Sequence, residues 1–347
     1  MLASGASPLF LYYDGIIYKD VALASTFLAA SGIVFWFRVQ GRDLPRAAGA
    51  AALALLGYGT LVRANAVFAF GPLLLFLWDR PRLRTARMLT LSLALAAVAV
   101  PASGFVNRDV FGAKDSGVRQ TLELFDLAGI AHASGDLSML PVAARMSAAD
   151  LARCYAPLYW DTLGTDVCHR VFDRLPPPGP PGRDEIGRRW IAAIGHDPIA
   201  YAQHRIKVFN ALLNFFVPAQ QCRFAPFDAS CGTPDLRSGR MAMTEDSAAF
   251  IRRDYLKKLF PVWPASWLML GVCLAALLWS RAGTLAARVS PPLLASGLLY
   301  ALACLVVGVA GDIRYFYWPI VAFQTALIIG WSEIWLRARR RSRAAAS

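Results

Sequence analysis

Apolar stretches that span a bilayer, or nearly do, recur seven times in this 347-residue chain, at about 16–37, 45–62, 64–78, 88–106, 263–280, 289–310 and 317–336. A helix rises about 1.5 Å per residue, so roughly twenty apolar residues traverse the hydrocarbon layer. Cutting the chain at these stretches sorts its charge. Alternate connections hold Arg38, Arg42 and Arg46, then Arg80, Arg82, Arg84 and Arg87, then Arg281 and Arg288. The tail adds Arg337, Arg339, Arg340, Arg341 and Arg343. Only Asp43, Asp79 and Glu333 oppose these fourteen cations, so eleven of the thirteen net positive charges lie on one side. Lys and Arg accumulate on cytoplasmic connections, which puts these segments inside and the long segment 107–262 outside. The sequence therefore predicts an all-α integral membrane protein with about seven transmembrane helices and a mainly helical extracytoplasmic domain. Its expected parts are 1–106 with about four spans, the outer domain 107–262, and 263–347 with about three spans and a basic cytoplasmic tail.

The outer segment is nearly balanced, with 19 Lys/Arg against 17 Asp/Glu. The basic surplus thus serves topology, and no nucleic-acid partner is implied. Between their ends the spans hold almost no ionisable residues, whereas transporters place charged or broken-helix sites near the midplane. Solute transport is therefore disfavoured. Residues 1–15 lack the basic and apolar regions of a secretory signal. Because the first span must run from outside to inside, the expectation is that an upstream helix precedes this sequence.

Four of the six cysteines (Cys154, Cys168, Cys222, Cys231) fall in the outer segment, and Cys273 and Cys304 lie in apolar helices. An extracytoplasmic compartment is oxidising, so at least one disulfide is expected there. Cys154–Cys168 and Cys222–Cys231 are the short-loop pairings among three connectivities. His132, His169, His196 and His204 show no metal-ligand spacing with the cysteines. No metal site or cofactor is assigned, and divalent-metal dependence stays open. Within the outer segment, Ser147 to Asp150 reads as a capping box opening a short helix. LPPPGPPG at 175–182 reads as a stiff loop, because proline fixes φ and lacks a donor. A second helix is expected over 184–195. Asp197-Pro198 caps a third that reaches about Phe216. That helix is expected to gather Ile199, Ile206, Phe209, Leu213 and Phe216 near one face, with Gln203, Arg205 and Lys207 elsewhere. A last helix is expected from Thr244 to Leu259.

Charges at the outer ends of separate spans are the candidate site. Asp14, Lys19 and Asp20 begin the first span, in LYYDGIIYKDVALA. Arg63 and Asn65 form the outer turn of TLVRANAVF, and Asp312 and Arg314 that of GDIRYFYWP. Each alone reads equally as an interfacial anchor. Together they supply cations for a lipid-linked phosphate at headgroup level and carboxylates able to deprotonate a hydroxyl. Trp160 and Asp161, near Tyr155 and Tyr159, suit sugar stacking and hydrogen bonding, or else an aromatic packing cluster.

The many spans, the large outer segment, the charged outer turns and the run D-x-R-Y-x-Y-x-P at 312–319 resemble the GT-C superfamily of polytopic glycosyltransferases. YKDVALA at 18–24 and VRANAVFAFGPLLLF at 62–76 are similar to helix-end motifs of bacterial members, which include protein mannosyltransferases and 4-amino-arabinose transferases. ELFDLAGI at 123–130 and CYAPLYWD at 154–161 resemble the outer domains of bacterial relatives. The resemblance implies inverting transfer of a sugar from a polyprenyl-phosphate donor to a glycan, lipid or protein acceptor at the outer face of the cytoplasmic membrane. It implies donor-phosphate contacts from Lys19, Arg63 and Arg314, supported by Asn65, Asp312 and Tyr315. Such enzymes carry a catalytic acid in a first outer loop after a first span; the expectation is that this sequence begins after both, with Asp20 or Asp14 as the catalytic candidates within it. Alternatives are a non-catalytic scaffold or remnant in envelope polysaccharide assembly, or a polysaccharide polymerase or ligase sharing the same donor.

Sidedness is directly measurable. Thiol labelling of single-cysteine variants should reach Arg84→Cys and Arg340→Cys only from the cytoplasm, and Asp228→Cys only from outside. Cytoplasmic labelling at residue 228 would invert the topology.

Overall fold

Helix is the only regular structure among the described residues, as the apolar runs and capping signals require. The computed structural model describes residues 18–78, 85–114, 117–164, 168, 175, 184–213, 264–279 and 284–346. In chain order the helices are α1 (Lys19–Val39), α2 (Arg46–Val62), α3 (Ala66–Leu77), α4 (Thr85–Phe105) and α5 (Val118–Ser134). They continue with α6 (Ala148–Cys154), α7 (Glu185–His196), α8 (Pro198–Leu213), α9 (Pro264–Trp279), α10 (Leu285–Val307) and α11 (Tyr317–Ala346). Contacts divide the chain into two units. The first comprises Met1–Gly112, Tyr255–Ala303 and Phe316–Ser347, and the second Ala113–Asp254 and Cys304–Tyr315. Asp14, Cys222, Cys231, the stretch 244–259 and nearly all of the proline loop lie outside the described residues.

Four helical segments are long and apolar enough to cross a membrane: Lys19–Val39, Leu89–Val110, Val289–Val307 and Ile313–Arg339. Arg46–Val62, Ala66–Leu77 and Pro264–Leu278 are apolar but shorter. In the first unit large apolar side chains also face outward, among them Trp36, Leu53, Val98, Met269 and Trp331. Water would penalise such a surface and lipid tails would not. These are the helices of a membrane protein.

Helix ends in the first unit are closed by local chemistry. Asp20 lies in the first turn of α1 and Arg38 in its last, each opposing the partial charge of the helix end. Gly41 then takes φ 65° and lets the chain turn. The Arg42 and Gly41 amides donate to the Phe37 and Arg38 carbonyls at 3.0 and 3.1 Å, so the last turn is satisfied. Arg38 also donates to the Leu77 carbonyl at the end of α3, and Asn107 to the Leu61 carbonyl near the end of α2. Glu333 accepts the Ala286 amide at 2.6 Å, placing a carboxylate at the start of α10.

Between the helices, large rings sit against glycines. A Cβ on Gly297 of α10 would lie 2.6 Å from the Phe323 ring of α11, and one on Gly271 of α9 would lie 2.8 Å from it. Gly59 of α2 stands in the same relation to Phe27 of α1. Without a hydrophobic drive between helices in lipid, close approach through small residues supplies the contact energy. A buried polar relay adds specificity. Trp318 donates to Ser296 at 3.0 Å, and Ser296 donates to the Ala69 carbonyl at 2.7 Å, joining α11, α10 and α3. Phe27 meets Trp318 edge-on, with ring centroids 5.3 Å apart, which ties α1 to the same point.

Filling the glycine gap should therefore destabilise the first unit. Gly297→Leu is expected to cost about 1–3 kcal/mol, as overpacking does, and to lower the thermal midpoint in detergent. Adding Phe323→Ala should recover part of that loss, making the pair non-additive.

Candidate functional site

The second unit is built on α5, whose residues Glu123 to Ala131 are all buried. Around it the capping signals at Ser147 and Asp197 appear where the sequence puts them, and Asp184 caps a further helix. Ser147 accepts the Asp150 amide at 3.1 Å and opens α6. Asp184 accepts the Gly187 amide at 2.7 Å at the start of α7, and Asp197 the Ala200 amide at 2.8 Å at the start of α8. A Cys154–Cys168 disulfide, with Cα atoms 5.9 Å apart, lies within the core beside Leu151 and Leu163.

The buried face of α8 departs from the expectation. Ile199 and Ile206 are 70% and 61% exposed, while Ala200, His204, Arg205, Val208, Ala211 and Leu212 are buried. The reason is a carboxylate. Asp126 of α5 is fully buried and must be met by donors. Arg205 pairs with its Oδ1, His204 Nε2 approaches the same oxygen at 2.9 Å, and Trp190 of α7 donates to Oδ2 at 2.8 Å. The Tyr155 hydroxyl meets His204 Nδ1 at 2.7 Å. Burial holds the His204 imidazolium below its usual range despite the neighbouring carboxylate. With the ring neutral, Nδ1 can accept from Tyr155 while Nε2–H faces Asp126. Gly129 leaves the space, since a Cβ there would strike the His204 ring.

Arg205 reaches further and donates to the Gly308 carbonyl at 2.7 Å. That bond secures the segment between α10 and α11 against the rest of this unit. Two short bonds continue the seam: Trp160 N–H to the Val309 carbonyl at 3.0 Å, and Gly311 N–H to the Leu158 carbonyl at 2.7 Å. Tyr159 and Ala310 pair as an isolated antiparallel bridge. Gly311 has no room for a side chain, because a Cβ would lie 2.9 Å from Leu158 and 3.1 Å from the Ala211 backbone.

This pairing assembles the candidate site on the second unit. It brings Tyr159, Trp160 and Asp161 beside Asp312, Arg314 and Tyr315, from stretches about 150 residues apart. Asp312 is buried and binds Arg314 twice, through Nε at 2.8 Å and the backbone amide at 2.9 Å. The Arg314 guanidinium lies over the Tyr315 ring, 5.1 Å from its centroid, and its side chain is 31% exposed. A rigidly braced, partly open guanidinium is a receptor for a phosphate or carboxylate. Tyr159 is buried, and its hydroxyl has no hydrogen-bond partner among the described residues. Burial first, and the nearby Asp312 and Asp161 charges second, drive its phenol further from ionisation. Asp161 is open to solvent on one side. Its carboxyl is pushed up, chiefly by desolvation, with Arg314 opposing and Asp312 adding to the shift.

The other sequence candidates belong to the first unit. Asp20 is buried and meets Arg63 at 3.1 Å, so α1 and the turn after α2 are joined by an ion pair. Lys19 is exposed at the first position of α1. Asn65 is the N-cap of α3 but makes no side-chain capping bond. Sequence reasoning missed Asp126, His204, Arg205 and Trp190. One signal was present: a lone acid in the apolar run LFDLAGIA cannot be buried without partners.

No protein-family model matches the chain, and neither a curated protein nor a solved structure matches it.

The buried histidine makes stability pH-dependent. Above about pH 6.5 the imidazole is neutral in the folded and the unfolded chain. Below it the unfolded chain takes up a proton that the folded one resists, so stability falls as pH falls. Denaturant unfolding followed by tryptophan fluorescence should show a lower midpoint at pH 5.5 than at pH 8. His204→Gln should show a smaller difference between the two.

Proposed function

We propose that this chain is a GT-C-type membrane glycosyltransferase, with about seven spans and residues 107–262 outside the cytoplasmic membrane. It moves a sugar from a polyprenyl-phosphate donor to a hydroxyl acceptor at the outer face, inverting the anomeric centre by direct displacement. One observation carries the reading. The structure of the second unit joins a braced, half-open Arg314 to two carboxylates and to the aromatic side chains of Tyr159, Trp160 and Tyr315. A lipid-linked phosphosugar needs a cation on the phosphate, flat apolar surface under the sugar, and a base for the acceptor. The cluster offers all three, and the apolar helices supply the membrane in which such a donor resides.

In this reading Arg314 stabilises charge on the departing phosphate, and buried Asp312 keeps the guanidinium in one orientation. Tyr159 supplies a hydroxyl that a ligand oxygen can satisfy. The Asp20–Arg63 pair favours a different task for those two residues, because a buried carboxylate bound to an arginine holds two membrane helices together. Lys19, exposed beside it, serves as a headgroup contact.

Membranes containing the protein, supplied with synthetic polyprenyl-phosphate monosaccharides and envelope acceptors, test the proposal. Removing a preorganised contact to a developing anion typically costs about 3–4 kcal/mol. Arg314→Ala should thus lower transfer roughly a hundredfold or more with insertion and the Cys154–Cys168 disulfide intact. Arg340→Ala should leave turnover unchanged. Undiminished transfer and donor binding in Arg314→Ala would remove the role given to Arg314, and absence of transfer by the wild-type protein would favour the scaffold reading.

A further inference from the structure

We propose that α8 rests on the surface of the bilayer, with the apolar stripe Ile199, Ala202, Ile206, Phe209 and Leu213 turned into the lipid. The occupant of that stripe is the membrane itself, at the boundary between headgroups and acyl chains. The inference needs only the membrane character of the apolar helices and stands apart from the transferase reading.

The residues of the stripe are spaced three and four apart, so they follow one side of the helix. Burial of Asp126 turns the His204 and Arg205 side of α8 inward and this side outward. Ile199 and Ile206 are 70% and 61% exposed, Ala202 is exposed, and Phe209 and Leu213 are half-buried. Gln203 and Lys207, both exposed, line one margin. A helix that turned this side to water would carry polar residues along it. An apolar stripe with a polar margin suits a helix lying in the interface, its apolar face sunk about 5–10 Å into the headgroup and acyl boundary. Lys207 has the reach to keep its ammonium among the phosphates.

The attachment of α8 sets where this face lies. Val289–Val307 and Ile313–Arg339 are long and apolar enough to cross a membrane, and only residues 308–312 join them. Both ends of that connection therefore stand at the membrane boundary. At roughly 3.3–3.6 Å per residue it rises no more than about 10 Å before it must return, close to the depth of the headgroup layer. α8 is fastened to this connection at two points. Arg205 donates to the Gly308 carbonyl at 2.7 Å, and the Ala211 backbone packs on Gly311, where a Cβ would lie 3.1 Å from it. A helix held in this way to a headgroup-level connection lies at headgroup level itself. Its inward side is taken by α5, which leaves the stripe for the lipid.

The full chain in nanodiscs of phosphatidylethanolamine and phosphatidylglycerol tests this, with photoreactive benzoylphenylalanine in place of Ile199, Ile206 or Val142. Val142 is the matched comparison, being 61% exposed as Ile206 is. Its short turn packs through Ala144 on Leu124. Leu124 and Asp126 stand about 200° apart around α5, so α5 separates Val142 from α8. All three replaced side chains are exposed, and retention of the Cys154–Cys168 disulfide reports the fold. Irradiation should attach phospholipid at positions 199 and 206 several-fold more than at 142. Covalent dimers from 199 and 206 would give the stripe to a second copy, and crosslinks into the same chain would give it to another segment. Lipid yields no higher than at 142 would leave it in water. Any of these three results would overturn the proposal.

Discussion

Burying the Asp126 carboxylate of α5 obliges the second unit to deliver donors to one point from two other helices. Arg205 and His204 come from α8, Trp190 from α7, and the acid itself from α5. Removing one member of such a buried pair typically costs about 3–5 kcal/mol, because the other charge is left uncompensated. The arrangement therefore acts as a specificity device as much as a stabilising one. Only one rotation of α8 satisfies the acid, and that rotation turns Ile199 and Ile206 outward. The same arginine spends its other nitrogen on the Gly308 carbonyl, so the segment carrying Asp312 and Arg314 depends on the network at one remove. The disulfide closes the loop after α6 and keeps Tyr155, the partner of His204, next to this core.

The first unit follows other rules. Its helices carry almost no internal charge, and their cohesion comes from ring-on-glycine contacts and one buried hydroxyl relay through Ser296. Its ionic groups gather at helix ends, where Asp20, Arg38 and Glu333 each meet an opposing charge or an unsatisfied backbone group. That division matches solvent. In lipid an uncompensated charge is costly everywhere except near the ends of a span.

At the Arg314 cluster the two carboxylates differ: Asp312 is buried and paired with the guanidinium, and Asp161 is exposed. Placing both within range of one guanidinium needs a short backbone seam, since side chains alone could not hold residues 158–161 and 309–314 in register. The close fit at Gly311, where a methyl group would collide with Leu158 and the backbone of α8, makes that seam intolerant of larger residues.

Features set by neighbouring residues were legible in the sequence. Apolar runs became helices, Ser147 and Asp197 became caps, and Cys154 found Cys168 fourteen positions on. These depend on interactions within about one helical turn, or on a short loop with little closure entropy. The tertiary structure alone decided which face of α8 is buried, that Asp20 pairs with Arg63, and that Trp160 and Asp161 share a corner with Arg314. Each of those outcomes turns on a partner far along the chain. A buried charge selects that partner by the free energy of leaving it unmet, and no local pattern records the choice.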